Sequence, residues 1–139
     1  MTAIIEMLRK HEGVETHAYK CTANKTTIGV GRNIDPKGGI GLSSDEINYL
    51  LANDVKRVNT ELRGVFSWYK TLCTARKDAI MDMCFNMGLP RLMKFKKALA
   101  GMAIGDYDEA AIEFLDSRWA NQVGQRAITV TDIIRSGDY

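Results

Sequence analysis

The sequence predicts an α+β protein, a mostly helical chain with one small β-containing segment set into it. Two observations carry that reading. Apolar residues recur at helical spacing in the first dozen residues, and again from Ser43 to the end. Between Gly13 and Leu42 that period is lost, and Gly29, Gly31, Gly38, Gly39 and Gly41 crowd among short β-branched runs. A length of 139 residues, 45% apolar and 26% charged, suits one compact domain with a real core and argues against disorder.

Taken in order, Thr2 can cap a first helix in which Ile4, Ile5 and Leu8 form one apolar face, with Gly13 as its stop. The stretch "TTIGVGRNI" then reads as part of a hairpin or three-stranded sheet. "LSSDEINYLLANDVKRVNTEL" opens with a capping box, Ser43 with Glu46, and places Ile47, Leu50, Leu51, Val55, Val58 and Leu62 at helical spacing. "TARKDAIMDMCFNMG" turns Ala79, Ile80, Met83, Cys84 and Met87 inward and stops at Gly88. Pro90 suits the first position of a short helix carrying Leu92, Phe95 and Leu99. "GDYDEAAIEFLDSRWANQ" starts on a second box, Asp106 with Glu109, and a last helix from Gly124 to Arg135 offers Ile128, Ile133 and Ile134. The expected arrangement is a β-containing lobe at 13–42, a helical lobe made of 1–12 and 64–139, and a connecting helix at 43–63. A cleft between such lobes is a natural place for a ligand.

Composition excludes several classes. Nineteen basic and seventeen acidic side chains leave a formal charge of +2, too small to indicate nucleic acid but compatible with an anionic partner. No apolar run approaches the roughly 20 residues that span a bilayer, and Glu6, Arg9 and Lys10 interrupt the N-terminal apolar stretch, so neither membrane insertion nor a cleaved signal peptide is expected. Cys21, Cys73 and Cys84 are odd in number and form no CxxC pair, which argues against a disulfide framework or zinc site and for synthesis in a reducing cytosol. No phosphate loop or metal set is apparent, and no cofactor is expected. Lys94, Lys96 and Lys97 read as a solvated helix face, and Met81, Met83 and Met87 as core.

The chemistry gathers in "HEGVETHAYKCTANKTTIGVG", His11 to Gly31. Glu12 stands where the first helix ends, facing the negative end of the helix dipole, an arrangement that favours the protonated form a general acid needs. Position alone fits a solvated glutamate beside Arg9 or Lys10 better. Nine residues on, Cys21 stands where a second acidic group would complete such a site.

Glu12, eight intervening residues, Cys21, five more, then Thr27 resembles the Glu–Asp/Cys–Thr pattern of the phage-type lysozymes, typified by the T-even phage enzyme (glycoside hydrolase family 24). "YKCTANKTTIGVGR" is similar to the corresponding family stretch, with Arg32 in place of its histidine. "RKDAIMDMCFNMG" and "SRWANQ…R" resemble two further family blocks, so the likeness runs from residue 5 to about residue 137. The largest departure is a shorter connection between the sheet and the Ser43 helix.

The resemblance implies a lysozyme-like two-lobed fold and a muramidase, cleaving the β-1,4 bond between N-acetylmuramic acid and N-acetylglucosamine in bacterial peptidoglycan. It implies Glu12 as the acid, Thr27 as the group holding the attacking water, Cys21 in the place of the second acidic residue, and Arg126 as a partner that orients Glu12. Arg32, Phe85, Asn86, Asn121 and Gln122 are implied substrate-binding residues, although for Phe85 and Trp119 alone core packing is the better expectation. An unperturbed thiol is mostly neutral at pH 7; Lys20, Lys25 or a histidine could supply a thiolate, able to act as base, electrostatic stabiliser or nucleophile. The expected setting is a monomeric phage endolysin that stays in the host cytoplasm until a holin-type pore releases it to the wall; a tail-associated lysozyme is the other setting. Rival activities are a lytic transglycosylase, a non-catalytic peptidoglycan-binding module on the same fold, and a Cys–His hydrolase using His11 or His17.

Overall fold

The computed structural model describes residues 2–139. Its elements run α1 (Ala3–Glu12), β1 (Glu15–Lys20), β2 (Thr26–Gly29), β3 (Arg32–Asn33), α2 (Ser44–Val65), α3 (Thr74–Met87), α4 (Leu89–Leu92), α5 (Lys96–Ile104), α6 (Tyr107–Leu115), α7 (Arg118–Val123) and α8 (Gln125–Ser136). The α+β class is as expected. Contacts divide the chain into two units, residues 1–50 and 51–139; the division falls inside α2, and α1 groups with the sheet. No helix among the described residues is long and apolar enough to cross a membrane.

In the first unit, α1 ends at Gly13, whose φ of 75° is one that a β-carbon disfavours, and whose amide donates to the Arg9 carbonyl. Thr2 precedes the helix in an extended conformation but makes no side-chain capping bond, and no residue of α1 is buried. The three strands form an antiparallel sheet in the order β1-β2-β3. Tyr19 pairs with Thr27 and Lys20 with Thr26, while Glu15 pairs with Gly29, so β1 carries a bulge between Glu15 and Tyr19. At the start of α2 the capping box is reciprocal: Glu46 N donates to Ser43 Oγ at 3.2 Å, and Ser43 N to Glu46 Oε1 at 2.9 Å.

In the second unit the core is built where helical faces meet. Leu62, Ile80, Met83, Leu92, Phe114 and Ile134 are fully buried, and each large apolar side chain removed from water contributes about 1.5–3 kcal/mol. The inward face expected for α3 is all buried. Of the α2 stripe only Val58 and Leu62 are buried; Leu51 and Val55 stay about half exposed. The helix expected to run through Leu92, Phe95 and Leu99 is broken at Phe95 (φ −79°, ψ 61°), whose ring instead packs on Phe114 and Trp119. The segment after Asp106 is likewise two helices, because Ser117 takes an extended conformation and its hydroxyl accepts from Ala120 N, opening α7. Asp106 caps α6 through Glu109 N, but its own amide goes to the Gly101 carbonyl, so that box is one-sided.

Candidate active site

Cys21 and Lys25 close a hairpin loop of three residues, Thr22, Ala23 and Asn24. Cys21 N donates to the Lys25 carbonyl at 3.0 Å, and Asn24 N donates back to the Cys21 carbonyl at 2.8 Å. Asn24 takes φ 58°, a left-handed conformation that asparagine tolerates better than most residues, as a three-residue hairpin of this kind requires. Thr27 follows two positions later in β2, buried, its hydroxyl donating to the same Lys25 carbonyl at 2.8 Å. One carbonyl oxygen thus gathers the Cys21 amide and the Thr27 hydroxyl.

The half-buried sulfur sits within this turn. The backbone amides of Lys25 and Ala23 hold the Cys21 thiol below its usual range, and partial desolvation opposes them. The ammonium groups that seemed the natural source of that effect point elsewhere. Lys20 Nζ donates to Thr26 Oγ1 and stands 3.9 Å from Asp35, and Lys25 Nζ also stands 3.9 Å from Asp35. His17 bonds with Thr16 Oγ1, and no hydrogen bond among the described residues joins a histidine to Cys21.

Glu12 reaches the sheet at the other end of β2. Ile28 pairs with Arg32, so Val30 and Gly31 form the loop between β2 and β3, and Gly31 and the last residue of β2, Gly29, both have positive φ. The Glu12 carboxylate lies directly over Gly31: a β-carbon there would meet Oε2 at 2.7 Å and Cδ at 2.9 Å.

Arg32 is engaged within the first unit. Its guanidinium holds Glu46 through Nη1 to Oε1 at 2.9 Å and Nη2 to Oε2 at 2.8 Å, and donates to the Gly41 carbonyl at 3.0 Å. Beside it, Ile28, Ile34, Leu42, Tyr49 and Leu50 line a pocket of about 860 Å³. In the second unit, Arg126 Nε pairs with Asp82 Oδ1 at 2.9 Å. Asn86 accepts from the indole of buried Trp119 at 2.9 Å, and Gln122 accepts from Arg91 at 3.4 Å. Asn121 is exposed, its amide donating to the Ser117 carbonyl. Phe85 corrects an expectation: it is not core but about half exposed, lining a pocket of about 420 Å³ with Leu51, Val55, Met81 and Arg126, because its place on α3 turns away from the buried face of Ile80, Met83 and Cys84. No cluster of side chains suited to a metal ion occurs among the described residues.

The sequence model of the phage lysozyme family matches residues 9–132, a span holding every one of these groups. The chain belongs to the phage lysozyme family. Among its relatives, the probable T4-type lysozyme 2 of Dictyostelium discoideum is 27% identical over 163 positions, covering 99% of this chain and 96% of that protein. The pre-baseplate central spike protein Gp5 of Enterobacteria phage T4 is 27% identical over 162 positions, covering 98% of this chain but 28% of Gp5. An endolysin of Acyrthosiphon pisum secondary endosymbiont phage 1 is 26% identical over 124 positions, covering 86% of this chain and 80% of the endolysin. As a member of the family, the chain is a cell-wall hydrolase of the lysozyme type.

Two features of this phage lysozyme escaped the sequence reading. Asp35 accepts from Thr26 N and Lys37 N and faces two lysines, and the Arg32–Glu46 pair ties β3 to α2. The crowding of Gly38 and Gly39 after Asp35 marked the segment only as irregular, and nothing in it pointed back to Thr26.

Proposed function

We propose that the chain is a muramidase that hydrolyses the β-1,4 bond between N-acetylmuramic acid and N-acetylglucosamine by an inverting route. Glu12 protonates the leaving oxygen. Water is held by Thr27, whose hydroxyl proton is committed to the Lys25 carbonyl, leaving its oxygen free to accept from water. Cys21, as thiolate, removes a proton from that water as it attacks the anomeric carbon, and the cleaved sugar leaves with a reducing end. The observation that carries this reading is the single Lys25 carbonyl that gathers the Cys21 amide and the Thr27 hydroxyl, keeping the two side chains together in one hairpin, with the backbone around Cys21 favouring its thiolate.

Asn86, Asn121, Gln122 and Phe85 supply amides and an exposed ring suited to N-acetyl sugars, with Arg126 beside Phe85. The likeness to an endolysin supports a phage lysis role in which the enzyme meets peptidoglycan after release through a holin-type pore.

The test is clearing of chloroform-permeabilised Gram-negative cells by the wild type and by Glu12→Gln, with mass spectrometry of the released muropeptides. Loss of clearing in Glu12→Gln together with reducing ends from the wild type is the expected result. Anhydro ends would make the enzyme a transglycosylase, and full activity in Glu12→Gln would remove Glu12 from the mechanism.

A further inference from the structure

We propose that Asp35 is a positioning residue for the Cys21–Thr27 hairpin, holding the backbone that presents the sulfur and keeping both neighbouring ammonium groups occupied. The proposal rests on reading Cys21 and Thr27 as reacting groups. Asp35 lies beyond β3, yet its carboxylate closes on the start of β2. Oδ1 accepts from Thr26 N at 3.0 Å and Oδ2 from Lys37 N at 3.1 Å, with Lys20 Nζ and Lys25 Nζ each at 3.9 Å. The side chain is 11% accessible.

Asp35 is itself held from every side. Its amide donates to Asn33 Oδ1 at 2.9 Å and its carbonyl accepts from Gly39 N at 2.9 Å. Gly39 packs so closely that a β-carbon there would come within 2.5 Å of the Asp35 backbone N and O. Ile34 N donates to the Thr26 carbonyl at 2.8 Å, so Thr26 is fixed at both its amide and its carbonyl by the Ile34–Asp35 segment.

Thr26 is the link between Lys25 and Thr27. The Lys25 peptide supplies an amide facing the sulfur and the carbonyl that gathers Cys21 N and Thr27 Oγ1. Removing the carboxylate leaves Thr26 N without its partner and frees this peptide to rotate away from Cys21. The same removal frees Lys20 and Lys25 to approach the sulfur. The two consequences have opposite signs: losing the amides raises the thiol's pKa, and gaining ammonium neighbours lowers it. A bond to the backbone acts at contact distance, whereas a solvated ammonium at the surface is screened, so the rise wins.

The experiment follows iodoacetamide alkylation of Cys21 against pH in the chain carrying Cys73→Ser, because Cys73 is exposed and would compete for the reagent, whereas Cys84 is buried. Asp35→Ala is expected to move the apparent pKa upward by about one unit or more. Asp35→Asn, which keeps an acceptor for Thr26 N, is expected to restore most of that shift. An unchanged or lowered value in folded Asp35→Ala would overturn the proposal. Should Asp35→Ala not fold, Asp35→Asn decides: a pKa near wild type supports the backbone role, and a clear fall shows that Asp35 acts through the lysines alone. Alkylation needs no catalysis, so the proposed function is judged separately, by cell clearing with Cys21→Ser; wild-type clearing there would remove the sulfur from the reaction while leaving Asp35's hold on the hairpin standing.

Discussion

The carboxylate of Glu12 rests on the α-carbon of Gly31, so that a helix end and a strand loop far apart in sequence define one acid's position. A β-carbon at Gly31 would stand 2.7 Å from Oε2. Gly31→Ala is therefore expected to displace Glu12 and lower the rate of cell clearing at least about tenfold, the scale of a modest loss of orientation. The backbone strain at φ 65° adds a stability cost of about 1–2 kcal/mol. Gly29→Ala is the control: its φ of 68° brings the same strain, but nothing lies within 4 Å of its β-carbon. Denaturation midpoints should fall alike in both variants, and activity should fall further in Gly31→Ala.

The lowered Cys21 pKa predicts a pH profile. If the thiolate is the working base, activity is lost as pH falls through the folded thiol's pKa, which the surrounding backbone holds below the thiol's ordinary value. Cys21→Asp should keep clearing activity and move that acidic limb to lower pH, whereas Cys21→Ser should reduce clearing about a hundredfold or more. The stability sign follows the same shift. Folding favours the thiolate, so this contribution is fully present above the unfolded pKa and disappears as pH falls through the folded one.

Arg32 and Glu46 are expected to act as one unit. Arg32→Ala and Glu46→Ala should each lower the thermal midpoint, and the double variant should lie well short of the sum. A substrate-binding role for Arg32 would show as a rise in KM absent from Glu46→Ala. Steady-state kinetics on soluble peptidoglycan fragments distinguish the two.

Trp119 anchors Asn86 by a single donor. Trp119→Phe should cost about 1 kcal/mol beyond the packing change, and Asn86→Ala should cost no more in Trp119→Phe than the packing change alone explains. For scale, Met83→Ala at the fully buried centre of the helical unit should cost about 2–5 kcal/mol by urea denaturation.

What the sequence made legible follows local chemistry. The stop at Gly13, the capping box of Ser43 and Glu46, and the inward face of α3 all depend on residues within one or two helical turns, and all are found. The breaks at Phe95 and Ser117 were not legible, because tertiary packing of the Phe95 ring and the double role of the Ser117 hydroxyl decide them. Glu12 stood out by its place at a helix end, but the set of Glu12, Cys21 and Thr27 was suggested only by family spacing. Asp35 was not visible at all, since its tie to Thr26 spans the sheet and no periodicity encodes it. The side chains around Cys21 also misled: lysines adjacent in sequence suggested a charge effect that the backbone provides instead.

That last substitution of main chain for side chain has an evolutionary reading. Peptide N–H groups are the same whatever residue carries them, so Thr22 and Ala23 can drift without altering the acidity of the sulfur, while Asn24 is confined by its left-handed φ. A field built this way is also short-ranged and little screened by dissolved ions. The reactivity of the thiol should accordingly tolerate both sequence divergence in the loop and wide changes in ionic strength, conditions under which a lysine-activated thiol would falter.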